Sequence, residues 1–416
     1  MNEKRAVSCL TGLLMLSWTI SHVCAALTTQ MYDAYTGTII SQKQFEEYKK
    51  KNTTFWCVNE IEPCDAFEGR RLDGSCNNLK QPSQGAPHTL PHRVLPAAFD
   101  KDYKVRKSKT GEELPLSRKV RTTLLSVGRN PDSYFTHLLT YFAVFMSADV
   151  VSVHDTINYL FWTKHCCEEE GKTDPKCASQ VIPDDDPVHQ FSGVRCLNLT
   201  QPYTFQTMGC ADKKTTPARL VTATPFFDLS QIYNVDSSIQ KKNRLFKDGL
   251  LKYEEENGRI WPPSHPENFR RFACSANEEP IETRCHSIGE ESNNAIFGTN
   301  LFTIWTWRHH NHIASELLRI NPCWNDEKLY RTAREINIAI LSQIFFYEFN
   351  SLLLGAGNLY QEGILSPTPG YRDLYDENVR PTVSSEYGIA LRWMHTIQEG
   401  KQKMYDVEGN YLKVLI

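Results

Sequence analysis

GTNLFTIWTWRHHNHIASELLRI, residues 298–320, reads as one long helix, with an apolar run from Leu301 to Trp307 followed by Arg308-His309-His310-Asn311-His312. Working outward, Asn130-Pro131-Asp132-Ser133 is a helix-start cluster. Phe135, Leu138, Leu139, Phe142, Phe145 and Met146 follow it in steps of three and four, which predicts an amphipathic helix running toward Val153. On the other side a third helix begins after Asn325-Asp326-Glu327, with Ile336, Ile340 and Ile344 on one face. Residues 386–398 read as a fourth helix, and residues 237–253 also read as helical. Residues 81–95 are broken by prolines and glycines, 166–210 form a cysteine-rich insert, and 262–292 are irregular. Alternation of apolar and polar residues nowhere runs far enough to imply a large sheet. The expected fold class is therefore mainly α, with long disulfide-tied loops.

The N-terminus carries Lys4 and Arg5, an apolar stretch from Leu10 to Ile20, and small residues at Val23-Cys24-Ala25. That pattern is a secretory signal over residues 1–25, too short in its apolar core to span a bilayer. No later stretch reads as a membrane span, so the expected product is secreted and extracellular. Of the thirteen cysteines, Cys9 and Cys24 fall in the signal and eleven remain, so at least one lacks a partner within the chain. Asn52-Thr53-Thr54 and Asn198-Leu199-Thr200 are glycosylation sequons. The formal net charge is −3 with both signs mixed, and no basic stripe points to nucleic acid. Residues 26–81 read as a disulfide-tied arm, and residues 82–416 as the helical domain.

Three histidine-bearing segments stand out, and each has a plain reading. His154-Asp155 ends a helix, where a histidine usually caps. His309 and His312 lie one turn apart, but no third ligand appears at a recognisable spacing. His395, in Leu391-Arg392-Trp393-Met394-His395-Thr396, is by itself one histidine in a helix.

Taken together, the segments resemble the animal haem peroxidases, the group that includes peroxidasin, peroxinectin and chorion peroxidases. The resemblance rests on five motifs in family order: Arg71-Leu72-Asp73-Gly74-Ser75-Cys76-Asn77-Asn78, Val94-Leu95-Pro96-Ala97-Ala98-Phe99-Asp100, Thr224-Pro225-Phe226-Phe227-Asp228-Leu229-Ser230-Gln231-Ile232-Tyr233, Trp307-Arg308-His309-His310-Asn311-His312, and Ala390-Leu391-Arg392-Trp393-Met394-His395-Thr396. It implies a haem b held by His395 as axial ligand, with Arg392 suited to a propionate. It also implies His154 as the acid/base for hydrogen peroxide and Arg308 as the cation that stabilises the departing oxygen. The resemblance further implies a calcium site from Thr224, the Phe226 carbonyl, Asp228 and Ser230, with Asp155, adjacent to the acid/base histidine, supplying a second carboxylate.

Several positions depart from the family pattern. Val150 stands four residues before His154, where the family has glutamine, and Val153 stands just before it, where the family has aspartate. His309 replaces the glutamate after the arginine. The two carboxylates that esterify haem in many members are thus absent, so haem is expected to be held without covalent links. The resemblance also implies that helices C-terminal to residue 416 complete the family's domain. The expected function is a secreted peroxidase acting on hydrogen peroxide and small, phenolic-type donors. The alternative is a degenerate peroxidase fold that serves as an extracellular binding or matrix protein with a protein partner.

Overall fold

A computed structural model describes residues 28–99, 106–125, 132–152, 164–266, 274, 284–368, 370–390, 397–398 and 402–415. In chain order these contain β1 (Gln30–Asp33), α1 (Gln42–Lys50), α2 (Thr54–Cys57), β2 (Val58–Ile61), α3 (Ser117–Leu124), α4 (His137–Val150), β3 (Gln180–Val181) and β4 (Cys196–Leu197). They continue with α5 (Ser230–Tyr233), α6 (Ser237–Asn243), β5 (Glu254–Glu256), β6 (Arg259–Trp261), α7 (Phe297–Ile320) and α8 (Asp326–Gln343). Last come α9 (Ala356–Gln361), α10 (Ser385–Ala390), β7 (Gln402–Tyr405) and β8 (Tyr411–Leu415). The strands form four antiparallel two-stranded ribbons, β1–β2, β3–β4, β5–β6 and β7–β8. The mainly helical expectation holds.

The main core is the three-way packing of α4, α7 and α8. Phe142, Phe145 and Met146 from α4 meet Trp307 of α7 and Ile338 of α8 in one buried cluster that Ile232 and Tyr233 of α5 join. Burying an aliphatic or aromatic side chain of this kind contributes about 1.5–3 kcal/mol, so the cluster decides how the helices cross. Gly298 sets the closest approach, because a Cβ there would lie 1.9 Å from the Tyr141 ring. At the start of α8 the Asn325 side chain accepts from the Lys328 N–H at 2.9 Å, while Asp326 and Glu327 sit favourably in the first turn.

A second core joins the N-terminal arm to the cysteine-rich insert: Ala34, Ile40 and Val58 pack on Phe205, Ala218 and Leu220, and Cys57–Cys210 staples them. The other disulfides are Cys64–Cys76, Cys166–Cys177, Cys167–Cys196 and Cys274–Cys285. Of the eleven cysteines from Cys57 onward, ten pair, and exposed Cys323 is the one left over.

Three expectations need correction. The helix predicted over 237–253 stops at Asn243, because Arg244 turns extended to reach Asp326 and Glu327 at 2.7 and 2.6 Å. Beyond it Phe246, Asp248 and Gly249 all have positive φ, and Gly249 fits closely against Leu329 and Tyr330. Second, the face of α8 that packs inward carries Leu329, Tyr330, Ala333, Arg334, Asn337 and Ile338, whereas Ile340 is exposed. Of the apolar stripe seen in the sequence, Ile336 packs against the cluster of Ile313, Ala314 and Leu317, and Ile340 and Ile344 border a groove. Third, α8 runs on through two π-helical segments, Ile344–Phe349 and Ser351–Gly355, into α9. This stretch, Asp326–Gln361, is long and apolar enough to cross a membrane by length and composition. Only length and composition point that way: Asp326 and Glu327 are paired with Arg244, and α8 packs along α7.

Candidate cation and haem site

Two buried carboxylates face one loop. Residues 224–230 lead into α5, and the Thr224 hydroxyl donates to Asp228 Oδ2 at 2.7 Å while the Ser230 N–H donates to Oδ1 at 3.1 Å. Leu229 adopts the left-handed region at φ 57°, which turns its N–H toward the last turn of α4. There Asp149 Oδ2 accepts that N–H at 3.0 Å, and its Oδ1 accepts the Ser230 hydroxyl at 3.2 Å. Thr224, Asp149 and Asp228 are all essentially inaccessible to water.

Burial raises the Asp149 carboxyl well above the usual carboxylate range, and the neighbouring Asp228 raises it further. Burial raises Asp228 as well, with Thr224, Arg334 and Arg70 acting only in part against it. Two dry carboxylates beside two hydroxyls and the Phe226 carbonyl make an all-oxygen donor set, whose electrostatic cost a hard divalent cation would offset. The residues present fit calcium.

The carboxylate that α4 brings to this loop is Asp149. The expected donor, Asp155, and the expected acid/base, His154, lie outside the described residues, as do Val153, Arg392 and His395. Asp149 was missed in the sequence, although an acid in the otherwise apolar last turn of α4, Met146-Ser147-Ala148-Asp149-Val150, is a local signal. The segment that leads to His395 is seated nearby. Gly388 fits against Val151 so closely that a Cβ would lie 2.7 Å from it, and the hydroxyl of half-buried Tyr387 bonds Ser147. Glu386 of the same helix accepts from the N–H groups of Val94 and Leu95, both at 3.0 Å, so the second motif is tied to the helix that precedes the fifth.

Arg308 is placed elsewhere. Its Nε donates to the Ile260 carbonyl, and its guanidinium lies 4.6 Å over the Trp261 ring. It borders a groove with Leu138, Leu139 and Phe142 from the first half of α4. Leu138 and Asp149 are eleven residues apart, about 16 Å along the helix. The small cavity at Ala148 is lined by Ser152, Thr222, Ala223, Ser230, Gln231, Asn234, Val235 and Glu290, with no arginine among them.

Behind α5 runs a buried relay. His310 Nε2 donates to the Gly249 carbonyl at 3.0 Å, which leaves Nδ1 to accept from the Tyr233 hydroxyl at 2.9 Å. Asn337 donates to Tyr233 at 2.9 Å and accepts from His309 Nδ1 at 2.8 Å. Burial lowers the His310 pKa to about 4, so this imidazole stays neutral and holds α5 against α7 and α8.

Comparison with known proteins accounts for this arrangement. Residues 69–414 match the family model for animal haem peroxidase. The chain belongs to the animal haem peroxidase family. It is 30% identical to a chorion peroxidase of Aedes aegypti over 91% of its own length and 48% of that protein. It is 29% identical to a peroxidase of Drosophila melanogaster over 83% of its length and 51% of that protein. It thus spans about half the length of these relatives. Among solved structures it resembles peroxidase A of Dictyostelium discoideum, with a TM-score of 0.62 at 19% identity over 84% of this chain and 64% of that one. The Arabidopsis thaliana fatty acid alpha-dioxygenase shares the fold too, with a TM-score of 0.61 at 16% identity over 95% of this chain and 55% of that one. Membership in the family and the peroxidase fold together imply haem binding.

Proposed function

We propose that this chain is part of a secreted haem-dependent peroxidase that reduces hydrogen peroxide and oxidises small, phenolic-type donors. The observation that carries the reading is the preorganised oxygen cage of Thr224, Phe226, Asp228, Ser230 and Asp149 where the segment leading to His395 meets α4. Haem, when bound, supplies the iron on which peroxide is reduced. His395 would hold its iron, Arg392 would pair with a propionate, and calcium in the cage would fix the end of α4. His154 is the proposed proton carrier and Arg308 the proposed cation for the departing oxygen. With Val153 and His309 in place of carboxylates, no ester links to haem are expected. The five disulfides support secretion.

One observation favours a second reading, that of a degenerate extracellular binding protein. In the family the acid/base histidine directly precedes the calcium carboxylate. If Asp149 is that carboxylate, Ala148 takes the histidine's place, Ser147 the aspartate's and Val144 the glutamine's. Alanine cannot move a proton, and Arg308 is already committed to Ile260 and Trp261.

The deciding experiment is an absorption spectrum of the secreted protein, expressed with haem supplied, before and after adding hydrogen peroxide. A Soret band that shifts with peroxide and disappears in His395→Ala supports the peroxidase. A Soret band indifferent to peroxide supports the degenerate reading, with haem retained as a ligand. No Soret band from folded, monodisperse protein removes the enzyme reading.

A further inference from the structure

The two sequons meet different surroundings in the fold. Asn52 follows Lys51, the cap of α1; it is exposed, has φ 55°, and its N–H donates to the Lys49 carbonyl at 3.0 Å. Left-handed backbone after a helix favours glycine and, next to it, asparagine, so the turn alone accounts for the residue type. The turn does not account for the side chain. A left-handed asparagine can settle its amide in a local hydrogen bond, yet the Asn52 amide makes none among the described residues.

Asn198 is committed. It is half-buried, and its Oδ1 accepts the Cys166 N–H at 2.7 Å. The rest of its sequon is paired: the Leu199 carbonyl accepts from the Ala178 N–H at 2.8 Å, and Thr200 bridges to Cys177. The Cys166–Cys177 and Cys167–Cys196 disulfides clamp this segment. A glycan at Asn198 would have to leave from an amide that the disulfide knot already holds.

Beside Asn52 lies an aromatic face. The Thr53 carbonyl accepts from the N–H groups of Trp56 and Cys57 at 3.1 and 3.0 Å, so the chain turns at once into α2. Phe55 is 68% exposed, with its ring centroid 4.7 Å from that of Trp56 and 5.5 Å from that of His88. Trp56 continues the face to Tyr203 at 5.8 Å. Three residues separate Asn52 from Phe55, at most about 10 Å along the chain, which is within the span of two linked pyranose rings. The C–H face of a pyranose packs on an aromatic ring as other apolar groups do.

We propose that Asn52 carries an N-linked glycan whose first two N-acetylglucosamine units lie over Phe55, and that Asn198 stays unmodified. In the transfer, Asn52 Nδ2 bonds to the sugar C1 and loses one proton. The C1–O bond to a lipid-linked pyrophosphate donor breaks, and the pyrophosphate leaves with the electron pair. The inference rests on the secreted reading, because only a chain in the secretory pathway meets the transferase. It does not depend on haem or on peroxide chemistry.

The test is peptide mass spectrometry of the full chain from the medium of insect cells, after amidase release of glycans in heavy-oxygen water, which converts a glycosylated asparagine to labelled aspartate. The expected result is label at Asn52 and none at Asn198. Asn52→Gly keeps the left-handed turn and should remove one glycan's worth of mass, while Thr200→Ala should leave the mass of the glycoform unchanged. Phe55→Ala should speed amidase release from the folded chain several-fold, because the core sugars lose their cover. Label at Asn198, or none at Asn52, overturns the proposal, and an unchanged release rate in Phe55→Ala overturns the packing on Phe55. A second chain, with a foreign secretion signal in place of residues 1–25, separates the two readings. If only that chain is exported and labelled at Asn52, the secreted reading fails and the site stands; if it is exported without label at Asn52, the site fails.

Discussion

Asp149→Asn isolates the cation site, because the change keeps the shape and an acceptor oxygen while it removes the charge. In calcium-free protein both Asp149 and Asp228 carry raised folded-state values, from burial and from each other. An unfolded aspartate titrates near ~3.9. A carboxyl whose folded value lies above that contributes stability that is fully present below pH ~4 and is lost as pH rises through the folded value. Each proton so released weakens the fold by about 1.4 kcal/mol per pH unit. The wild-type chain in EGTA should therefore lose stability as pH climbs from acid toward neutral. The amide that replaces the carboxyl cannot ionise, so the variant should lose much of that slope and match or exceed wild type near neutral pH. Calcium should reverse the ranking. At a hundredfold excess over its dissociation constant it should add about 2.7 kcal/mol to wild type, and far less to a variant that lacks one carboxylate. The measurement is urea denaturation followed by far-UV circular dichroism at several pH values, in EGTA and in calcium. Identical pH slopes for the two proteins, or equal stabilisation of both by calcium, would refute the reasoning.

If Ala148 stands where an acid/base group is needed, Ala148→His should quicken the spectral response of the haem-loaded protein to peroxide by about a hundredfold or more, and an unchanged rate returns the role to His154. Gly298→Ala places a Cβ 1.9 Å from the Tyr141 ring at the α4–α7 contact, so it should cost about 3 kcal/mol in urea denaturation; no loss means the helices do not cross at this point. Replacing Cys57 and Cys210 together by alanine opens a crosslink of sequence separation 153. On chain entropy alone this should cost about 5 kcal/mol, read as a lowered denaturation midpoint, and it should expose the arm–insert junction to protease before the α4–α7–α8 core.

The helices were legible because their evidence is local. Steps of three and four, an asparagine cap and an acidic first turn are all written within a few residues of each other, and α7 and α8 run close to where those signals put them. The stop of α6 at Asn243 was not legible, because the cause lies some eighty residues away: Arg244 leaves the helix to satisfy Asp326 and Glu327. The same distance problem governs the site. Thr224, Asp228 and Ser230 alternate along one loop and could be read as a donor set, but their second carboxylate comes from another helix. Two acids compete for that place in the sequence, Asp149 and Asp155, and only the second follows a histidine. Adjacency to histidine is a chemical cue, whereas meeting the loop is a matter of helix length. An α4 that ends at Val150 delivers Asp149 in its last turn, where Leu229 and Ser230 bond it. The functional question therefore turns on a six-residue shift at the end of α4, the distance from Asp149 to Asp155. An acid/base histidine belongs to this site only if the chain after Val150 folds back over the loop that Asp149 already occupies.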